Sequence, residues 1–288
     1  MPHTPYIPDI IPEGDRKALM EKYHSGHLHS VGFGKSPALL VVDMTDAFVT
    51  DDYPTGFART GVPCARAIRR LADACRGAKI PVIFTRGLRP TSAGGEAEMG
   101  RWVHKSSMAW ASPDGNSIHK ELAPADGDIV IEKAKPSAFF GTQLPSVLNF
   151  LAVDTLVVTG MVTAGCVRAT VVDAFSYNYR VIIPEECVAD RSQISHEVNL
   201  FDMDMKYADV VKLVEVLAWV KGGQRVRSAN VMGPSADGSS GRIPPRPRAS
   251  RVAERTGPRR RRGPRGSPGV AVRVRMQRPG PAGQANDY

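Results

Sequence analysis

Short apolar runs alternate along the chain with segments whose apolar positions repeat every three or four residues. The runs at 38–42, 81–85, 128–132, 155–159, 180–183 and 208–214 have the length and content of buried parallel strands. Between them, the segment 65–76 places Ala65, Ile68, Leu71, Ala72 and Cys75 on one helical face. Segments 144–151 and 165–177 keep the same spacing, and 196–205 keeps it more weakly. Strands alternating with helices predict an α/β fold: three αβα layers around a mostly parallel sheet of about six strands. Residues 1–36 read as an irregular N-terminal arm and 37–223 as a single domain. The stretch 90–127, rich in Ser, Gly and Asp, is too long for an ordinary connection and reads as a functional loop.

Composition changes this picture at one end. Residues 224–288 contain no Leu, Phe or Trp and are crowded with Pro, Gly, Ser and Arg. Such a segment buries too little apolar surface to offset its ordering entropy, so it reads as a disordered tail. The tail also explains the net charge of +9. It holds 15 Arg, no Lys and three acidic residues, a net +12, which leaves residues 1–223 at −3. Nucleic-acid binding through the basic tail is therefore the weaker reading: no aromatics interleave for stacking, and the body adds negative charge. Arg without Lys, amid Pro, Gly and Ala, also matches GC-rich coding in an extended or frame-shifted end. No run approaches the ~20 apolar residues of a membrane span, and the N-terminus lacks the pattern of a secretory signal. Four cysteines, Cys64, Cys75, Cys166 and Cys187, are too few for a disulfide scaffold, so a reduced, cytoplasmic protein is expected.

Sites in open α/β sheets form beyond the carboxyl ends of the strands. Three reactive side chains fall there: Asp43 after strand one, Lys133 after the third run, and Cys166 in the first turn of the helix after the fourth. A helix N-terminus and a nearby ammonium would both favour a thiolate. Asp43 could take the thiol proton and return it to a leaving group. Backbone N–H groups before Cys166 could hold an oxyanion. Singly, each residue has a plainer use: a small core residue, a turn former, a surface lysine. Their coincidence at three strand ends is what suggests chemistry.

Four stretches resemble the isochorismatase-like cysteine hydrolase superfamily: PALLVVDMTDAF (37–48), VIEKAKPSAFFGTQL (130–144), DTLVVTGMVTAGCVRATVVDAF (154–175) and VADRSQISHEVNLFDMDMKYADVV (188–211). The resemblance implies that Asp43, Lys133 and Cys166 form an Asp–Lys–Cys triad. It implies a cis peptide at Met161–Val162 and an oxyanion hole from the N–H groups of Val162 and Cys166. It selects Lys133 over Lys135 by spacing from the Ser of SAF. Isochorismatases proper lack the cysteine, so Cys166 argues for C–N hydrolysis. Nicotinamidases carry a metal-binding Asp/His cluster after the second strand, where this chain has FTRGLRP (84–90). No metal and no cofactor are expected. The histidines His24, His27 and His29 of the arm read as solvated.

Within the superfamily the stretches most resemble N-carbamoylsarcosine and maleamate amidohydrolases. That likeness implies that Arg191 binds a substrate carboxylate, although pairing with Asp190 or Asp202 is nearly as good a reading. Thr163 could also reach the substrate, or brace its turn. Thr45 and Asp46 depart from the family pattern, and both could line the pocket. The expected reaction is hydrolysis of a small linear amide or ureido acid; a neutral amide is the alternative. Relatives of this kind assemble as dimers or tetramers, so a homo-oligomer is expected, with Trp102 and Trp110 of the long loop as a contact surface.

Overall fold

The structure is a computed structural model and describes residues 4–24, 29–88 and 114–231. Trp102, Trp110, His27 and residues 232–288 lie outside the described residues. Seven parallel strands form one sheet: β1 (Pro37–Val42), β2 (Val82–Gly87), β3 (Ile129–Lys133), β4 (Thr155–Met161), β5 (Arg180–Pro184), β6 (Val188–Ala189) and β7 (Asp209–Val211). Their order is β3-β2-β1-β4-β5-β7, with β6 also paired to β4. All six predicted runs become strands. The seventh, β6, has only two residues, too short to register as an apolar run.

Strand β1 is buried along its whole length. Alternation sends its side chains to two separate cores. Leu39 and Val41 pack with Ile68, Leu71 and Ala72 of α3 (Ala58–Gly77) and with Val216 and Val220 of the C-terminal helix. Ala38, Leu40 and Val42 pack with residues of α4 (Leu144–Phe150), α5 (Arg168–Ser176) and α6 (Gln193–Lys206). Each fully buried aliphatic side chain contributes about 1.5–3 kcal/mol, so both faces of β1 help hold the sheet between its helical layers.

The helical readings need four corrections. Helix α3 begins seven residues before 65, because Pro63 lies on its exposed side and the helix passes through it. The arm is not irregular throughout: α1 (Glu13–His24) is helical, with Glu13 and Asp15 in its first turn. Its side chains stay largely exposed, so no apolar stripe marked it. A single helical turn, α2 (Asp46–Val49), follows β1. The last helix, α7 (Leu213–Val231), continues past residue 224, where the tail composition begins.

Three carboxylates fasten the arm to the domain. Asp204 accepts from the Tyr6 N–H at 2.8 Å. Asp209 accepts from the N–H groups of Val31 and Gly32 and from the Ser30 hydroxyl. Asp154 accepts from the N–H groups of Lys35 and Ser36. Among the described residues, no helix is long and apolar enough to cross a membrane.

Candidate active site

The strand order reverses between β1 and β4, which opens a crevice beyond their carboxyl ends. Asp43 leaves β1 there with a positive φ of 50°. Asp tolerates that left-handed conformation better than most residues, yet it still costs of order 1 kcal/mol. Beside it, Gly160 of β4 has φ 114°, and a Cβ there would fall 2.0 Å from the Val42 carbonyl oxygen. Only glycine lets β4 approach β1 so closely before the turn that carries Cys166. The Met161–Val162 peptide is cis. The turn Thr163–Val167 then winds as a π-helix, with Gly165 outside helical dihedrals, and runs into α5. A π-turn at this point carries the Cys166 side chain toward the crevice, where it lines the cavity described below.

Asp43, Lys133 and Cys166 meet in space. The Lys133 ammonium makes three contacts, matching its three protons: Asp43 Oδ2 at 2.6 Å, the Lys135 carbonyl at 3.1 Å and Cys166 Sγ at 3.5 Å. The second carboxylate oxygen of Asp43 accepts from the Thr85 hydroxyl at 2.8 Å. Asp43 and Lys133 are buried, and Cys166 is half-buried. A cavity of about 210 Å³ opens onto all three, and Phe48, Val162 and Arg191 also line it.

Electrostatics here differ from the sequence expectation. Burial pushes the Cys166 thiol up, and the Asp43 carboxylate pushes it further. Lys133 opposes both, but the thiol stands at about 12. The expected thiolate is therefore not the resting form. Cys166 keeps its proton beside the Asp43 carboxylate. Lys133 responds in the other direction. Burial favours its neutral amine, but Asp43 and the Cys166 sulfur favour the ammonium more, and its pKa lies above the ordinary lysine value.

The remaining candidates divide. Arg191 lines the cavity, and its guanidinium pairs with no carboxylate among the described residues. Asp190 instead accepts from the backbone N–H groups of Ala164 and Arg191, and Asp202 pairs with Arg168 and Lys206. Val162 lines the same cavity. Thr163 does not: it is fully buried, and its hydroxyl lies 2.8 Å from His196 Nδ1. Its structural reading replaces the substrate-binding one. Thr45 and Asp46 do not line the cavity either. Thr45 forms an antiparallel bridge with Ile118, and Asp46 Oδ1 lies 2.6 Å from His119 Nδ1. Both fix the chain after Asp43 against segment 114–122. His24 ends α1 and His29 is exposed. Among the described residues, no group of three or more His, Cys, Asp or Glu side chains is placed to hold a metal ion.

Thr85 and His196 support the site without any signal in the sequence, and Asp190 enters it through backbone N–H groups rather than as the ion-pair partner of Arg191. Thr85 lies within β2, two residues before its end, and its hydroxyl is not in itself a reactive group. Asp190, just before α6, and His196, in its first turn, reach the turn that carries Cys166 only because this part of the chain packs beside it.

Comparison with known proteins gives concordant matches. The family model described as Isochorismatase domain matches residues 37–215. A maleamate amidohydrolase from Pseudomonas putida is 36% identical over 202 residues, covering 68% of this chain and 92% of that protein. An N-carbamoylsarcosine amidase from an Arthrobacter species is 34% identical over 200 residues, covering 68% of this chain and 75% of that protein. A solved isochorismatase family protein from Desulfovibrio vulgaris superposes with a TM-score of 0.56 at 28% identity, covering 64% of this chain and all of that one.

Proposed function

Because the chain belongs to the isochorismatase family, we propose that it hydrolyses a linear amide or ureido C–N bond in a small carboxylate-bearing substrate, with Cys166 as nucleophile. The coarse assignment is an amidohydrolase of non-peptide C–N bonds. The finer one concerns the site and the substrate. The observation that carries it is the contact of Lys133 with both Asp43, at 2.6 Å, and Cys166, at 3.5 Å, at the wall of one cavity.

The thiol, raised by burial and by the Asp43 carboxylate, supports the following order of events. Cys166 Sγ attacks the substrate carbonyl carbon as its proton passes to Asp43. Proton transfer and bond formation are coupled, so no free thiolate needs to accumulate. The carbonyl oxygen becomes an oxyanion, held by the N–H groups of Val162 and Cys166. Lys133 pairs with the Asp43 carboxylate, and its charge stabilises the sulfur as the S–H bond breaks. As the oxyanion collapses and the C–N bond breaks, the leaving nitrogen takes the proton from Asp43 and departs as ammonia. A water then gives its proton to Asp43 and attacks the thioester. The acid leaves, and the thiol recovers its proton.

Arg191 is assigned the substrate carboxylate. Its guanidinium has no carboxylate partner among the described residues and stands at the cavity wall, and its planar fork suits a carboxylate. The named relatives act on maleamate and N-carbamoylsarcosine, both of which join an amide or ureido group to an acid. An ammonia-release screen tests the assignment, using acidic and neutral amides with wild type, Cys166→Ala and Arg191→Gln. Acidic amides should be preferred, Cys166→Ala should release nothing, and Arg191→Gln should erase the preference for acids. A wild-type preference for neutral amides, or an unchanged preference in Arg191→Gln, would remove the carboxylate assignment.

A further inference from the structure

The nucleophile turn is held from outside at two consecutive residues. Asp190 Oδ2 accepts from the Ala164 N–H at 2.8 Å. One residue earlier, the Thr163 hydroxyl meets His196 Nδ1 at 2.8 Å. One support comes from the segment that joins β6 to α6, and the other from the first turn of α6. His196 sits in the first turn of α6, where its N–H donates to the Ser192 carbonyl and Ser192 caps the helix. Asp190 is anchored in turn, since its carbonyl accepts from the Thr60 hydroxyl of α3 at 2.9 Å.

Thr163 is fully buried, and His196 is its one side-chain hydrogen-bond partner among the described residues. A buried hydroxyl without a partner is unfavourable, so this contact fixes the rotamer of Thr163 and the turn that carries it. The turn matters because Thr163 directly follows Val162 and lies three residues before Cys166. Both neighbours face the cavity.

From this arrangement we propose that His196 is a positioning residue: its neutral imidazole accepts the Thr163 hydroxyl proton and thereby sets the nucleophile turn relative to the oxyanion-binding N–H groups. The inference rests on the proposed role of Cys166 but adds a residue that touches neither substrate nor the reacting atoms. Its protonation state fits. Burial lowers the His196 pKa, while Asp190, Glu197 and Glu185 act against that, and the balance lies below the ordinary histidine value. The ring is therefore neutral at pH 7 and able to present Nδ1 as an acceptor. In that tautomer Nε2 carries the proton.

The test is a double-mutant cycle on purified full-length protein, with kcat and KM measured for the best substrate of the ammonia screen. Thr163→Val removes the hydroxyl at nearly constant shape, and His196→Ala removes the acceptor. Each should lower kcat about tenfold, the rate equivalent of one hydrogen bond, with KM changed by less than about threefold. The double variant should be no worse than either single one. His196→Gln, which keeps an acceptor, and Thr163→Ser, which keeps the hydroxyl, should each recover most of kcat. A general loss of fold would instead lower the active fraction, read by active-site titration, and Gln would not rescue it. Multiplying effects in the double variant, or wild-type kcat in both Thr163→Val and His196→Ala, would overturn the proposal. Cys166→Ala runs as a control: if it stays active, the nucleophile assignment fails first and separately.

Discussion

The thiols of Cys75 and Cys166 are both raised by burial, in opposite surroundings. Burial pushes each up to about 12. Cys75, on α3, is packed in the core with Ile68, Leu71 and Phe84. Cys166 lines a cavity, with an ammonium 3.5 Å from its sulfur and that ammonium bound to a carboxylate. A perturbed pKa therefore does not identify the reactive thiol in this molecule. What separates the two is a proton acceptor, a cation and room for a carbonyl carbon. Under the proposed mechanism a protonated thiol can serve, since Asp43, which helps raise its pKa, would also take its proton.

The largest effect should come from exchanging the two cysteines' fates. Cys166→Ala should lower kcat/KM by at least about 10⁴-fold while the protein stays folded, as expected for loss of a covalent nucleophile. Cys75→Ala should leave kcat and KM close to wild type. Steady-state ammonia assays on both variants check this, and turnover in Cys166→Ala would erase the distinction. Next in size is Lys133→Ala. It leaves Asp43 buried without its cation, which costs about 3–5 kcal/mol in stability by analogy with broken buried pairs. It also removes the charge beside the sulfur, so activity should fall about 10³-fold or more even where denaturant titration shows the variant folded. Arg191→Gln should act more gently and on the substrate. A lost charge-assisted pair of about 2–4 kcal/mol lowers kcat/KM for acids by roughly 30- to 10³-fold. Neutral amides should be unaffected, which initial-rate kinetics on a matched acid and amide pair will read.

Much of this arrangement is legible in the chain itself. Buried parallel strands are written as apolar runs, and reactive residues at their ends project toward one edge whatever the loops do. That is why Asp43, Lys133 and Cys166 stand out in the sequence. Three things were hidden. Helix α1 has no buried face, and its signal lies in helix formers and first-turn acids rather than in periodicity. The partners Thr85 and His196 depend on neighbours 42 and 33 residues away in sequence. The thiol pKa was misjudged because a helix start and a lysine are visible in sequence, whereas desolvation and the adjacent Asp43 carboxylate appear only on folding.

The smallest effect sharpens the Cys75 side of the comparison. Its folded pKa is raised from the ordinary thiol value of 9.0 to about 12. The folded state therefore holds a proton that the unfolded chain gives up. That contribution is complete below about pH 9 and is lost as pH rises toward 12. Cys75→Ala should cost about 1 kcal/mol at pH 7, for the lost packing, and should show a smaller alkaline decline in stability than wild type. Urea titrations at pH 7 and pH 10 give both numbers. Equal declines in the two proteins would mean that Cys75 ionises in the fold as freely as it does in the unfolded chain.

Hydroxylamine trapping during turnover tests covalent catalysis by Cys166 most directly. With a good amide substrate and rising hydroxylamine, a thioester on Cys166 partitions between water and the added nucleophile. An acyl hydroxamate should accumulate in proportion to hydroxylamine, at the expense of the free acid, while ammonia release does not slow. Ammonia release at the normal rate with no hydroxamate at any hydroxylamine concentration would mean that water attacks the substrate directly. Cys166 would then stand beside Cys75 as a buried thiol with no part in the chemistry.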